Sequence, residues 1–236
     1  MIKLKFVVPA VVTAACLAFA GTSHAVTYTE TGDAGDLPAT AQIVTGPANT
    51  ALTLLTGALT LTNGISDSDM FQIYVSDPAA FAASNTGFFA GSNNFDSQIF
   101  LFNAAGRGVV GNDDAASGGS QSSIAAGSIS GLQMGVYYLL ISGSSRYAVS
   151  SGGLIFPNLN DGTTDPTATV GPTGPGGALP ISGYNGSSND GGNYRITLAG
   201  AQFVVVPEPG TYAFVLVGLA GLGWNLRARR RSLNPV

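Results

Sequence analysis

Six side chains in this sequence could gather around a hard cation: Asp67, Asp69, Asp96, Asn112, Asp113 and Asp114. They fall in Asp-x-Asp and Asn-Asp-Asp patterns on segments that read as strand ends and turns. Calcium takes about six to eight oxygen ligands, commonly carboxylates and loop carbonyls, and such patterns can supply them. The competing use is turn chemistry, because Asp and Asn side chains bond backbone groups a residue or two further on. A full EF-hand loop is absent. Glycoside hydrolysis by two carboxylates needs a pair facing a cleft, and no pair stands out among so many solvated acids. The expectation is no catalytic residue and no enzyme, with calcium as the candidate cofactor.

Cys16 and His24 are the only cysteine and histidine in the chain. Both lie in an N-terminal leader: Lys3 and Lys5 form a positive start and Phe6–Ala20 an apolar run, followed by Ser23-His24-Ala25 with small residues at the signal-peptidase positions. Cleavage is expected after Ala25. The alternatives are a retained membrane anchor, for which the apolar run is short, and a lipoprotein through Cys16, where Thr13 occupies the usual lipobox leucine position. Once the leader is gone, the mature chain has no disulfide, thiol nucleophile or imidazole. Ser-His-acid and Cys-His catalysis are thereby excluded, as are His/Cys zinc and copper sites.

Between leader and tail, Arg107, Arg146 and Arg195 face twelve acids, a net charge of −9. That balance argues against a nucleic-acid partner and suits solubility or calcium.

The C-terminus carries a second kind of chemistry. Val206-Pro207-Glu208-Pro209 cannot continue a strand, since two prolines flank one residue. Thr211–Leu226 is apolar apart from Thr211 and Asn225, and Arg227, Arg229, Arg230 and Arg231 follow. As a helix this segment spans ~24 Å, short of the roughly 30 Å hydrocarbon core, a gap that arginine snorkelling and local thinning can bridge. The positive-inside rule puts the arginines in the cytoplasm and the domain outside. Trp224 sits where an interfacial residue belongs, and Gly218, Gly221 and Gly223 suit close helix contact. An ordinary single-span anchor is the alternative.

The order of Pro-Glu-Pro, short apolar helix and basic end over Val206–Arg231 resembles the PEP-CTERM sorting signal. That resemblance implies a Gram-negative, exopolysaccharide-producing host and an exosortase-type membrane enzyme as partner. The enzyme would recognise and cut the chain at or near Val206, Pro207, Glu208 and Pro209. The implied route runs from an inner-membrane precursor with a periplasmic domain to the cell surface or extracellular matrix, with exopolysaccharide as a further partner.

The elements that must position these residues are strands. The central region is rich in Gly, Ser, Thr, Asn and Asp with spaced β-branched and aromatic residues. Strand patterns are read at Thr50–Leu61, ended by Asn63-Gly64, and at Met70–Val75, with Phe71, Ile73 and Val75 on one face. Gln98–Phe102 and Arg107–Val110 read as a hairpin, Gln121–Ile129 as a weak strand and Asn193–Phe203 as the last one. Gly135–Ser142 is apolar on both faces, which predicts a central strand between two layers. Within the Gly/Pro-rich stretch 143–192, Leu154-Ile155-Phe156 is expected to pack back onto the sheet and Gly171–Gly177 to be a mobile loop. Tyr137, Tyr138 and Phe88-Phe89 could form a sugar-stacking platform, although core packing is the commoner role.

The sum is an all-β chain: an antiparallel β-sandwich, jelly-roll-like, of about seven to nine strands. It occupies residues 26–203, between a signal helix over 1–25 and a sorting tail over 204–236 with a transmembrane helix at 211–226. Asp33-Ala-Gly-Asp36, Ser66-Asp-Ser-Asp-Met-Phe71, Phe95–Phe102, Asn112-Asp-Asp114, Gly135–Ile141 and Asn193–Leu198 occur in the order of bacterial pre-peptidase C-terminal domains. The region resembles those β-sandwich accessory modules, some of which bind calcium or contact polymeric substrates. Two functions follow as expectations: a non-enzymatic surface or matrix protein, or a carbohydrate- or protein-binding module working beside a separate hydrolase.

Overall fold

The computed structural model describes residues 26–86, 95–117 and 119–205. The expected leader, Phe88-Phe89 and the tail from Val206 lie outside these residues. Among the described residues there is no helix, and so none long and apolar enough to cross a membrane.

In chain order the strands are β1 (Val26–Thr29), β2 (Gln42–Ile43), β3 (Leu52–Leu59), β4 (Leu61–Thr62), β5 (Ile65–Ser66), β6 (Ser68–Val75), β7 (Ala82–Ser84) and β8 (Ser97–Asn103). They continue as β9 (Gly108–Asn112), β10 (Ser123–Ile124), β11 (Gly135–Gly143), β12 (Tyr147–Ser150), β13 (Gly153–Leu154), β14 (Gly183–Asn185), β15 (Gly192–Ala199) and β16 (Ala201–Gln202).

Two sheets carry the architecture. One has the order β1-β3-β15-β7-β10, and the other β16-β6-β11-β8-β9, with β2 sharing the β16 edge of β6. Alternation along β15 explains the first: Tyr194, Ile196 and Leu198 are buried while Arg195, Thr197 and Ala199 are exposed. These residues meet Leu52, Leu55 and Leu59 of β3 and, from the other sheet, Phe71, Ile73, Val75, Leu139 and Ile141 in one core. Phe71 and Tyr194 touch edge to face across the sheets, with centroids 6.3 Å apart. Each such fully buried side chain contributes roughly 1.5–3 kcal/mol through removal from water.

The expected faces of Met70–Val75 and the hairpin of β8 with β9 are present. Strand β11 is central, paired on both sides by β6 and β8. Its second apolar face is covered, as expected, by the segment around Ile155 and Phe156. Met70, Phe100, Phe102 and Leu140 form another core with Ile155, Phe156, Leu159 and Ile181. Phe156 stacks on Phe100 at 4.9 Å and meets Phe102 edge-on at 5.8 Å. The stretch after β11 is thus a third layer, built on the small sheet β13-β12-β14.

Four expectations change. Gly171–Gly177 is tied down: Gly174 N–H donates to Ile155 C=O and Gly176 N–H to Leu154 C=O. The sandwich is not wholly antiparallel, because β1 joins β3 and β2 joins β6 in parallel. The weak strand expected at Gln121–Ile129 shrinks to Ser123–Ile124. The last strand is broken at Gly200 (φ 66°), so that β15 belongs to one sheet and β16 to the other.

Candidate metal centres

The fold gathers the acidic candidates at two places. At the first, Asp67 and Asp69 stand at the start of β6, and Asp33 reaches them from the loop after β1. Carboxylate oxygens of Asp33, Asp67 and Asp69 lie within 4.8 Å of one another. Asp33 is exposed, Asp67 half-buried and Asp69 fully buried. Asp67 accepts bonds from the Thr60 backbone N–H and hydroxyl, and Asp33 accepts one from Gly35 N–H. Asp69 Oδ2 accepts from the Tyr194 hydroxyl at 2.8 Å, while its buried Oδ1 has no partner.

The same hydroxyl lies 3.0 Å from Glu30 Oε2. One phenolic proton cannot satisfy two carboxylates. Burial, reinforced by the charge of Glu30, pushes the Asp69 carboxyl up to about 8. Burial is also the first cause of the raised values of Glu30 and Asp67, and it holds the Tyr194 phenol far above its usual range. Asp33 and Glu30 were missed as neighbours of Asp67 and Asp69. The sequence signal for Asp33 was its place in Asp33-Ala-Gly-Asp36, a segment that turns at Gly35 with φ 68°.

At the second place, the β8–β9 hairpin sets Asp96, just before β8, beside Asp113 and Asp114, just after β9. Their carboxylate oxygens also lie within 4.8 Å of one another. Burial pushes Asp113 up to about 7 and Asp96 up to about 6, with mutual repulsion adding to both. Asp114 is raised by burial as well. Asp190 adds a further negative charge near Asp96.

Asn112 flanks this group but spends its amide elsewhere. Its Oδ1 accepts from Ser123 N–H at 2.7 Å and its Nδ2 donates to Thr167 and Ala168 carbonyls. It fastens loops in the position where the sequence suggested a ligand. The aromatic candidates divide in a similar way: Tyr137 is buried in the main core and bonds Gln133, and Tyr138 packs on the second core.

The Arg146–Asp36 pair is structural. Arg146 bonds Asp36 at 3.1 Å and Ser68, and lies 4.6 Å from the centre of the Tyr184 ring. A cavity of about 330 Å³ at the end of the sandwich is lined by Asn49, Tyr74, Val136, Gln202 and the segment Phe203–Val205, without an acid. The chain leaves the sandwich there, with Val204 N–H bonded to Val44 C=O at 2.8 Å.

No curated protein sequence and no solved structure matches the chain. Residues 205–231 match the PEP-CTERM protein-sorting motif, beginning one residue after that last backbone bond. The motif marks the chain as an exported protein, held by a C-terminal membrane anchor before processing and sorted by an exosortase.

Proposed function

We propose that this chain is a non-enzymatic β-sandwich delivered by the exosortase route to the surface or extracellular matrix of an exopolysaccharide-producing Gram-negative bacterium. The observation that carries this reading is the abutment of the sandwich and the sorting motif, with β16 ending at Gln202 and the motif starting at residue 205. A folded acidic domain joined directly to a removable anchor is built as cargo. The lack of histidine and cysteine after Ala25 supports a role without Ser-His-acid or Cys-His catalysis. The order of strand motifs supports a sandwich of the pre-peptidase C-terminal kind.

Deleting Val206–Val236 is expected to abolish membrane retention and processing while the remaining domain still melts cooperatively. Cell fractionation and a thermal scan check both halves. Unchanged fractionation would contradict the proposal.

A second reading, a carbohydrate- or protein-binding accessory module, draws on the β4–β5 hairpin, where Leu61 and Ile65 stand 50% and 45% exposed. A glycan array and a pull-down with the full chain separate the two, because a matrix filler shows no saturable ligand.

A further inference from the structure

We infer that Asp96, Asp113 and Asp114, with the carboxamide of Gln98, form a site for a divalent cation of the calcium type. The carboxylates alone would not carry this, since clustered acids are common. Gln98 adds an independent observation. It lies in β8 with 0% exposure, and apart from a loose approach to the Asp113 carboxyl neither its Oε1 nor its Nε2 has a hydrogen-bond partner. A buried amide left so costs about 1–3 kcal/mol. Its end faces Asp113, whose ionised form it favours. Asp113 is itself 2% exposed, with Oδ1 unpartnered, and the buried Oδ1 of Asp96 is unpartnered too.

Unsatisfied oxygens from both arms of one hairpin therefore converge, and no arginine is among the groups acting on these carboxyls. A cation supplies the missing partner for several of them at once. The donor set is all oxygen, which selects calcium or magnesium over zinc or copper. Carboxylates on a hairpin end and an adjoining loop suit the flexible shell of calcium better than the strict octahedron of magnesium.

The ion would reinforce a junction that backbone bonds and the Asn112 amide already hold. Asp96 C=O accepts Ser144 N–H at 2.9 Å, and Asp114 N–H donates to Pro166 C=O at 2.9 Å. The site thus lies where the β8–β9 hairpin meets the turn after β11 and the third layer. Extracellular modules bind calcium at roughly 10⁻⁴–10⁻³ M, so an exported domain would fill such a site only outside the cell. The inference is independent of how the tail is sorted.

Equilibrium dialysis of the detergent-solubilised full chain against calcium alone tests the site, with thermal scans in calcium and in chelator. Wild type is expected to bind calcium saturably, and Asp114→Asn to weaken one bound ion at least tenfold. Asp67→Asn, at the other acidic group, is expected to leave that ion in place. Asp113→Asn is expected to raise the melting temperature in chelator, by removing a buried charge, and to lose the rise that calcium gives to wild type. Wild-type stoichiometry and affinity in both Asp113→Asn and Asp114→Asn would overturn the assignment. So would no binding by wild type at roughly 10 mM calcium, well above the weakest extracellular sites.

Discussion

In chelator, the full chain is expected to melt at a lower temperature at pH 8 than at pH 5, and Asp69→Asn is expected to remove a substantial part of that difference. The cause is the buried group on β6. Asp69 faces Glu30, Asp67 and Asp33, and its one hydrogen bond comes from a Tyr194 hydroxyl that Glu30 also contacts. Its folded value of about 8 stands above the ordinary 3.8. Between those values the folded chain keeps a proton that the unfolded chain gives up. The contribution is full below the lower value and is lost as pH rises through the higher one. At about 1.4 kcal/mol per unit, the loss from Asp69 is roughly 3–5 kcal/mol.

Asp113 and Asp96 act in the same direction, over windows that end near 7 and 6. Chelator is essential, because a cation at either acidic group would stabilise the ionised carboxylates and reverse the trend. A melting temperature in chelator that rises from pH 5 to pH 8 would contradict this account of Asp69.

The second large effect is expected from Gly200→Ala. Gly200 is the point where the chain passes from one sheet to the other, between β15 and β16. Its carbonyl accepts the N–H groups of Ser76 and Asp77. Its φ of 66° is the left-handed region, which costs an L-residue roughly 1–2 kcal/mol. A Cβ there would stand 2.4 Å from Asp77 C=O and 2.8 Å from Phe81 N, both backbone atoms that cannot rotate aside. Strain and clash together are expected to cost roughly 3 kcal/mol or more, on the order of 10 °C in melting temperature for a chain of this size. Gly64→Ala is the control: it shares a positive φ of 77° but has open space around it, so only about 1 kcal/mol is at stake. Equal melting temperatures for the two variants would refute the crossover argument.

The main sheets were legible because alternation at period two is a local signal. Phe71, Ile73 and Val75 announce the inner face of β6, and the two apolar faces of Gly135–Ser142 announce a central strand. Residues 143–192 were less legible. Leu154-Ile155-Phe156 was readable as a segment that packs back onto the sheet, but the Gly/Pro content around it hid Leu159 and Ile181, which complete the cover over Phe100 and Phe102. The break at Gly200 hides inside a continuous alternation, because only the sheet assignment changes there.

Of the two acidic groups, composition pointed to Asp67, Asp69, Asp96, Asp113 and Asp114. It could not reveal which ones meet, since Glu30 and Tyr194 are joined through a contact 164 residues apart in sequence. Gln98 read only as a strand residue, and its unsatisfied amide emerges only from packing. Asn112 looked equivalent to its acidic neighbours until its amide was found holding Ser123, Thr167 and Ala168.

The most direct test of the cargo reading is the mass of the mature C-terminus, measured on protein from the surface fraction of the native host. The expected result is a chain ending at or near Pro207-Glu208-Pro209, without Thr211–Val236. A surface-fraction chain that still ends at Val236, with Arg227–Arg231 in place, would contradict it.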